Sequence, residues 1–389
     1  MKLLVIGSGM YVTGRGGTGH GTILSSIAEF SKGKEVQLLI YSKSEESAKD
    51  VDLAAERINA LLSTRLKASF LSSDAATLDK VLAEGRFDAA IIAVPDHLHF
   101  ELCRTVIQHS VPTLVVKPLT PTADEAIELT RLADRQNTYA AVEFHKRWDE
   151  SNLVAKSKVS QQVLGQIDYI DVNYSQRIEI PTQVFRSWAS QTNIFQYLGV
   201  HYVDLIYFLT GFLPSRVMAY GQYGILKSSG IDTFDSVHAA IVWKSPVTDE
   251  RFYSHFNTNW IDPDRTSAMS DQKIKIVGTK GRLELDQKNR GVELVTAQGI
   301  QHINPYFADF LMNPDGSYSF CGYGPKSITT FLRDVTAIQA GEASKASLDA
   351  QRPSFRSSVV SSVVVEKVNS SLRQKAQWLE IPDELWSTF

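Results

Sequence analysis

The chain reads as a doubly wound α/β domain with a parallel sheet, followed by an α+β domain built on an open, mostly antiparallel sheet. Three observations predict this. Short, wholly apolar runs alternate with amphipathic stretches over residues 1–120, the pattern of strands buried on both faces and joined by crossover helices. After Pro118 the strand candidates become longer and alternate in polarity, with few helices between them. The length, 389 residues, accommodates about two domains of ordinary size.

The first domain builds up in order. Residues 3–6 form an apolar strand that stops at Gly7. A glycine-rich loop follows, then a helix over 22–30 with Ile23, Ile27 and Phe30 on one side. Strand 36–41 leads to a helix over 46–62, where Val51, Ala54, Ala55, Ile58 and Leu62 recur at helical spacing. A third strand is expected over 68–71 and a helix over 74–84 ending at Gly85. Strand 89–94, helix 100–109 and strand 113–116 complete the repeat. The boundary is placed near 120, giving domains 1–120 and 121–389.

In the second domain, a helix is expected over 122–136 and a strand over 139–144. Further strands are expected over 167–174, 217–220, 236–243, 252–260, 273–277, 282–285 and 292–295. Helices over 197–209, 327–340 and 353–374 interrupt them, and the last is expected to pack back on the N-terminal domain.

Composition excludes several classes. Hydrophobic residues make up 43% and charged residues 21%, the balance of a globular protein with a full core. With 40 basic and 43 acidic residues there is no basic excess to drive binding to nucleic acid or an anionic membrane. Two cysteines, Cys103 and Cys321, are too few for an exported disulfide framework and are expected to be buried thiols. No signal peptide or membrane helix is read, so the expected location is cytoplasmic.

The glycine loop carries the first chemistry. Gly7 and Gly9, directly after a strand and before a helix, let the backbone turn tightly and approach a pyrophosphate; the next helix supplies N–H groups and a positive dipole. Val12 stands where a third glycine or alanine is usual. The loop instead runs on through Gly14, Gly16, Gly17, Gly19 and Gly21, with Arg15, Thr18 and Thr22 as further phosphate contacts. Gly7, Gly9, Met10, Tyr11 and Arg15 are therefore the expected dinucleotide-binding residues. The second strand ends Tyr41-Ser42-Lys43-Ser44, with no carboxylate before Glu45 to accept the ribose 2′-hydroxyl. Ser42 and Lys43 suit a 2′-phosphate, which favours NADP over NAD.

Four motifs then resemble those of one family. Ala93-Val94-Pro95-Asp96-His97-Leu98-His99 and Val116-Lys117-Pro118 resemble the paired signatures of the Gfo/Idh/MocA oxidoreductases. Gly199-Val200-His201-Tyr202-Val203-Asp204 is similar to the family's G-x-H-x-x-D segment. Ile276-Val277-Gly278-Thr279-Lys280-Gly281 with Leu283-Glu284-Leu285 resembles its Gly-Thr-x-Gly strand pair. The motifs occur in the family's order and span nearly the whole chain.

The resemblance implies an N-terminal Rossmann domain and a C-terminal open sheet. It also implies NAD(P)-dependent hydride transfer at a carbinol or carbonyl carbon of a sugar, cyclitol or related polyol, and a homodimer or homotetramer. Two other activities found among relatives stay open: an NAD-dependent glycosidase working by transient oxidation and elimination, and a non-catalytic cofactor-binding regulator.

Candidate site residues follow from position and chemistry. Pro95 and Lys117 fall at the carboxyl edge of the sheet, where open α/β sheets bind ligands, and the resemblance implies that Val94, Pro95, His99 and Lys117 stand beside the cofactor. Lys117 is also the expected catalytic acid–base and a substrate contact, since a desolvated lysine beside a cationic ring loses pKa towards neutrality. On the predicted helix 197–209, Tyr197, His201 and Asp204 fall on one face by i, i+3, i+4 spacing and are expected in the catalytic group. Three departures from the family stand out: Val12, Val116 where glutamate is usual, and Tyr197 where aspartate is frequent. His201, Arg147, Trp188 and Asn193 are expected to bind substrate. His97 and His99 lack the companion ligands of a metal site, and no metal is expected.

Overall fold

The computed structural model describes residues 1–14, 20–43 and 46–388, so Arg15 and Thr18 of the glycine loop lie outside the described residues. The chain forms two compact units, the first comprising Met1–Thr120, Asp124–Asp149 and Tyr306–Val359, the second Pro121–Ala123, Glu150–Pro305 and Val360–Phe389.

The first unit opens with β1 (Lys2–Ile6), a one-turn helix α1 (Met10–Thr13) and α2 (Thr22–Phe30). β2 (Gln37–Ser42), α3 (Glu46–Leu62), β3 (Lys67–Ser72) and α4 (Leu78–Gly85) follow. Then come β4 (Ala89–Ile92), α5 (His99–Gln108), β5 (Thr113–Val116), α6 (Ala123–Arg135) and β6 (Ala140–Glu143). All six strands are parallel, in the order β3-β2-β1-β4-β5-β6. β4 and β6 are buried at every residue, as strands covered on both faces must be. The order reverses between β1 and β4, the switch point at which such sheets open a crevice.

The second unit begins with α7 (Glu150–Ser160) and β7 (Ile167–Arg177). α8 (Val200–Thr210) leads to β8 (Leu213–Gln222), α9 (Ile225–Ser228), β9 (Ser236–Lys244) and β10 (Arg251–Asp262). β11 (Ser270–Gly278), β12 (Gly281–Asp286) and the hairpin β13 (Val292–Thr296) with β14 (Gly299–Ile303) follow. Its sheet runs β12-β11-β7-β10-β9-β8, with the two-residue strand Leu379–Glu380 beside β8 at the edge, and is antiparallel except for β7 and β10, which run parallel. β10 alternates strictly: Phe252, Ser254, Phe256, Thr258 and Trp260 are buried, whereas Arg251, Tyr253, His255 and Asn257 are exposed.

The chain then returns to the first unit through β15 (Asp309–Met312), β16 (Tyr318–Cys321), α10 (Tyr323–Gln339) and α11 (Lys345–Asp349). α12 (Phe355–Arg373) and the short strand β17 (Leu379–Glu380) complete it.

Two expectations are revised by this division. Residues 124–149 do not leave the first unit at 120, because β6 extends its parallel sheet beyond β5. Residues 306–359 belong to it as well: Phe320, Ile328, Phe331, Leu332, Val335 and Leu348 enter the same apolar core as Leu3, Val5 and Ile91. Tyr139 donates to Asp334 at 3.0 Å and Arg352 grips Asp334 at 2.8 and 3.0 Å, pinning α10 to the base of β6. Of the expected helix 353–374, the first turn groups with the first unit and the rest with the second.

Smaller differences have local causes. α4 starts at Leu78 rather than 74, because Asp74 N–H turns back to Ser72 Oγ at 3.2 Å and the Thr77 side chain caps the helix. Cys103 is buried and burial pushes its thiol up, but Cys321 is exposed rather than buried. Among the described residues no helix is long and apolar enough to cross a membrane.

Candidate active site

In the first unit the site is built at the carboxyl edge of the parallel sheet. Gly7 takes φ +106°, a conformation suited to glycine, and a Cβ there would stand 2.2 Å from Ala93 O. Its N–H donates to Tyr41 O at 2.8 Å, so the loop is tied to the end of β2. A Cβ on Gly9 would meet nothing within 4 Å, so that backbone borders open space a phosphate can approach. Gly9 begins α1, placing Met10 and Tyr11 in the first turn of that helix.

Val12 is buried in the core, and the close packing a third glycine would provide falls to Gly21. A Cβ there would lie 1.9 Å from Val12 O, so only glycine fits where α1 meets the start of α2. Ser8 Oγ and Ser42 Oγ lie 2.8 Å apart, linking the loop to the ribose end of β2; Lys43 is exposed beside them. These residues fit a dinucleotide: a tight first turn, an unobstructed second glycine and hydroxyls at the strand end.

The ends of β4 and β5 are joined by His99, which is fully buried. Its Nδ1 lies 2.7 Å from Pro118 O and its Nε2 3.0 Å from Val94 O. Carbonyls only accept, so the ring donates, to one when neutral and to both when charged. Burial lowers its pKa, against the opposing pull of Asp96 and these carbonyls. His99 therefore fixes Val94, Pro95 and the cis Lys117-Pro118 bond relative to each other. His97 is exposed while His99 is buried, so the two do not converge.

Lys117 is half-buried at the end of β5. Burial lowers its pKa from 10.5 to about 7, with the carboxylates of Asp96 and Glu143 opposing that shift. An amine divided between acid and base forms near neutrality is equipped to take or give a proton.

The residues after β6 complete this edge. Glu143, 2% exposed, accepts from Ser327 Oγ at 2.6 Å and from His145 Nδ1 at 3.0 Å. Tyr323 stacks on His145 with ring centroids 5.5 Å apart, and Phe307 meets the same imidazole edge-on at 5.3 Å. Arg147 is half-buried on the turn His145–Trp148. The sequence gives Asp96, Glu143 and His145 no role of their own, although they fall in the segments 95–99 and 143–148 that the family resemblance places near the cofactor, and it does not point to Ser327 at all. Asp96 stood inside a quoted motif and was readable there; Ser327 lies 184 residues from Glu143, and no local signal joins them.

The second unit holds the other candidates. The helix expected over 197–209 is α8 preceded by a wider, π-helical turn, Phe195–Gly199, which contains Tyr197. α8 is buried along most of its length, and His201 (3% exposed) and Asp204 (2%) are polar groups among its covered residues.

Tyr197 joins an aromatic group: Phe185 at 4.8 Å, Trp260 at 5.6 Å and Trp188 at 6.0 Å. Trp260 is held by its Nε1–H to Gln176 Oε1 at 2.8 Å. Asn193 has other employment. Its Oδ1 accepts from Phe195 and Gln196 N–H at 3.0 Å each, and its Nδ2 donates to Asn369 at 2.7 Å, making it a cap rather than a ready sugar ligand. Among the described residues no group of three or more His, Cys, Asp or Glu could hold a metal ion.

Comparison with known proteins adds to this geometry. Residues 1–144 match the family model described as an oxidoreductase family with an NAD-binding Rossmann fold, and residues 153–284 match the GFO/IDH/MocA C-terminal domain. A scyllo-inositol 2-dehydrogenase (NADP+) of Bacillus subtilis, IolW, is 25% identical over 220 residues, 56% of this chain and 54% of its own length. An uncharacterized oxidoreductase of Escherichia coli, YdgJ, is 27% identical over 158 residues, 40% of this chain and 44% of its own. The chain thus spans about half the length of the curated relatives it matches.

Among solved structures, a myo-inositol dehydrogenase of Corynebacterium glutamicum aligns with TM-score 0.65 at 16% identity, covering 98% of this chain and 99% of that one. A scyllo-inositol dehydrogenase of Lactobacillus casei, with NAD(H) and scyllo-inositol bound, aligns with TM-score 0.65 at 16% identity and covers 98% of each. At this identity the two share the fold.

Proposed function

Because the chain belongs to the Gfo/Idh/MocA oxidoreductase family, we propose that it is an NAD(P)-dependent dehydrogenase or reductase of a cyclitol, sugar or related polyol. The carrying observation is Lys117: an amine titrating at about 7, at the carboxyl edge of the sheet whose switch point carries the glycine loop. A bound nicotinamide dinucleotide supplies the hydride acceptor, or the donor in the reverse direction. Gly7, Gly9, Met10 and Tyr11 receive its pyrophosphate. Lys117 takes the hydroxyl proton as the carbinol is oxidised and returns it to the carbonyl oxygen on reduction. His201 is the second acid–base group, with Asp204 beside it on α8. Tyr197 and Trp188 offer ring faces to a sugar or cyclitol.

Ser42 and Lys43, with no carboxylate between β2 and Glu45 in the sequence, favour NADP. The Bacillus relative, named for NADP+, is consistent with that preference.

The test is Lys117→Ala. NADPH binding, followed by fluorescence titration, is expected to stay near that of the unsubstituted protein while turnover on an inositol and sugar panel falls roughly a hundredfold or more. Turnover near the original rate would overturn the assignment. In the same titration NADPH is expected to bind more tightly than NADH; a clear preference for NADH would refute the reading of Ser42 and Lys43.

A further inference from the structure

We propose that Glu143 is the positioning carboxylate of Lys117, held for that purpose by Ser327 and His145. The inference rests on the assignment of Lys117 as the acid–base group and extends it to the neighbouring strand.

Glu143 is the last residue of β6 and the register partner of Val116, the residue before Lys117. The two strand ends therefore lie side by side, with Glu143 beside the residue that precedes the lysine. A glutamate 2% exposed is costly unless its charge is answered. Ser327 from α10 answers one oxygen at 2.6 Å and His145 Nδ1 approaches both at 3.1 and 3.0 Å. Those donors fix the carboxylate in one orientation. The stack of Tyr323 on His145 and the edge of Phe307 hold the imidazole in turn.

Each element packed around the pair contributes charge or polarity. Asp96 comes from the turn after β4, His99 from the start of α5, His145 from the turn after β6, and Ser327 and Tyr323 from α10. Asp334 and Arg352 share a small cavity with Glu143 and Ser327 on the far side. Asp96 and Glu143 are the two carboxylates whose charge favours the ammonium form of Lys117. A buried glutamate with two donors, placed at the end of the strand beside the catalytic one, has more than a packing role.

Glu143→Gln keeps the shape and the Ser327 contact but removes the charge. The Lys117 amine then loses one of its two supporting anions. Its titration, read from the pH dependence of Lys117 acylation by acetic anhydride and mapped by mass spectrometry, is expected to move to lower pH by on the order of one unit. The rising limb of turnover against pH is expected to shift by the same amount. Ser327→Ala, which keeps the charge but frees the carboxylate from its fixed orientation, is expected to move the titration in the same direction by a smaller amount, and it decides the matter if Glu143→Gln does not fold. A Lys117 titration unmoved in the folded variants would overturn the proposal. The acylation readout needs no turnover. If the unsubstituted protein oxidises no polyol, the dehydrogenase reading falls while the role of Glu143 is still measured; if it turns over and the titration is unmoved, only the role of Glu143 falls.

Discussion

Lys117 sits under opposed influences, and their balance has a consequence for stability. In the folded chain burial brings its pKa from 10.5 down to about 7, despite Asp96 and Glu143. Unfolding exposes the amine and restores the ordinary value, so between about 7 and 10.5 the unfolded chain binds more protons than the folded one. Stability therefore rises with pH across that window, and the cost of the lysine is fully present below about 7. Lys117→Met is expected to raise Tm on the acid side of neutrality and to lose that advantage as pH climbs towards 10.5. An advantage independent of pH would contradict the desolvated amine. At this scale the sequence was partly informative. Lys117, Pro95, Gly7 and Gly9 could be read as candidates because the chemistry proposed for them depends on a strand end or a loop immediately beside them. Glu143 could be read only as the start of the segment 143–148, since its partner Ser327 lies 184 residues away. Asn193 misled, because a polar residue before a helix serves a ligand or a cap equally well, and here it caps the turn at Phe195.

The elements of the first unit were legible because burial on both faces leaves a simple trace. β5 (Thr113–Val116) and α2 (Thr22–Phe30) stand where apolar runs and helical spacing put them. α7 escaped notice because Leu153 and Val154 are exposed and no single apolar face declares the helix. α1 is a single turn inside the glycine loop, too short to carry a period. That loop makes a specific demand at Gly7, where φ is +106° and a side chain would press on Ala93 O. Gly7→Ala is expected to cost more than about 1 kcal/mol of stability from the backbone alone and to weaken coenzyme binding further by displacing the Ala93–Val94 segment. Chemical denaturation together with NADPH titration checks both. Unchanged affinity in a folded variant would mean that the loop does not receive the pyrophosphate.

For the whole molecule, the order of motifs along the chain foretold two kinds of sheet, and both are present. It did not foretell that residues 306–359 return to the first unit. Their hydrophobic pattern says that α10 has a buried face but not which sheet buries it, and that choice is made by long-range contacts such as Tyr139–Asp334. This return brings Ser327, Tyr323 and Phe307 to the edge where Lys117 stands, so the carboxyl edge of the parallel sheet is assembled from distant parts of the chain. The most direct test of the account is the absorbance of reduced nicotinamide when the protein meets NADP+ or NAD+ with a panel of inositols and sugars across a range of pH. The account predicts net formation of reduced coenzyme in step with polyol oxidised, at a rate that rises as Lys117 loses its proton around neutrality. Sugar release with no net reduced coenzyme, or tight coenzyme binding with no turnover on any member of the panel, would contradict it.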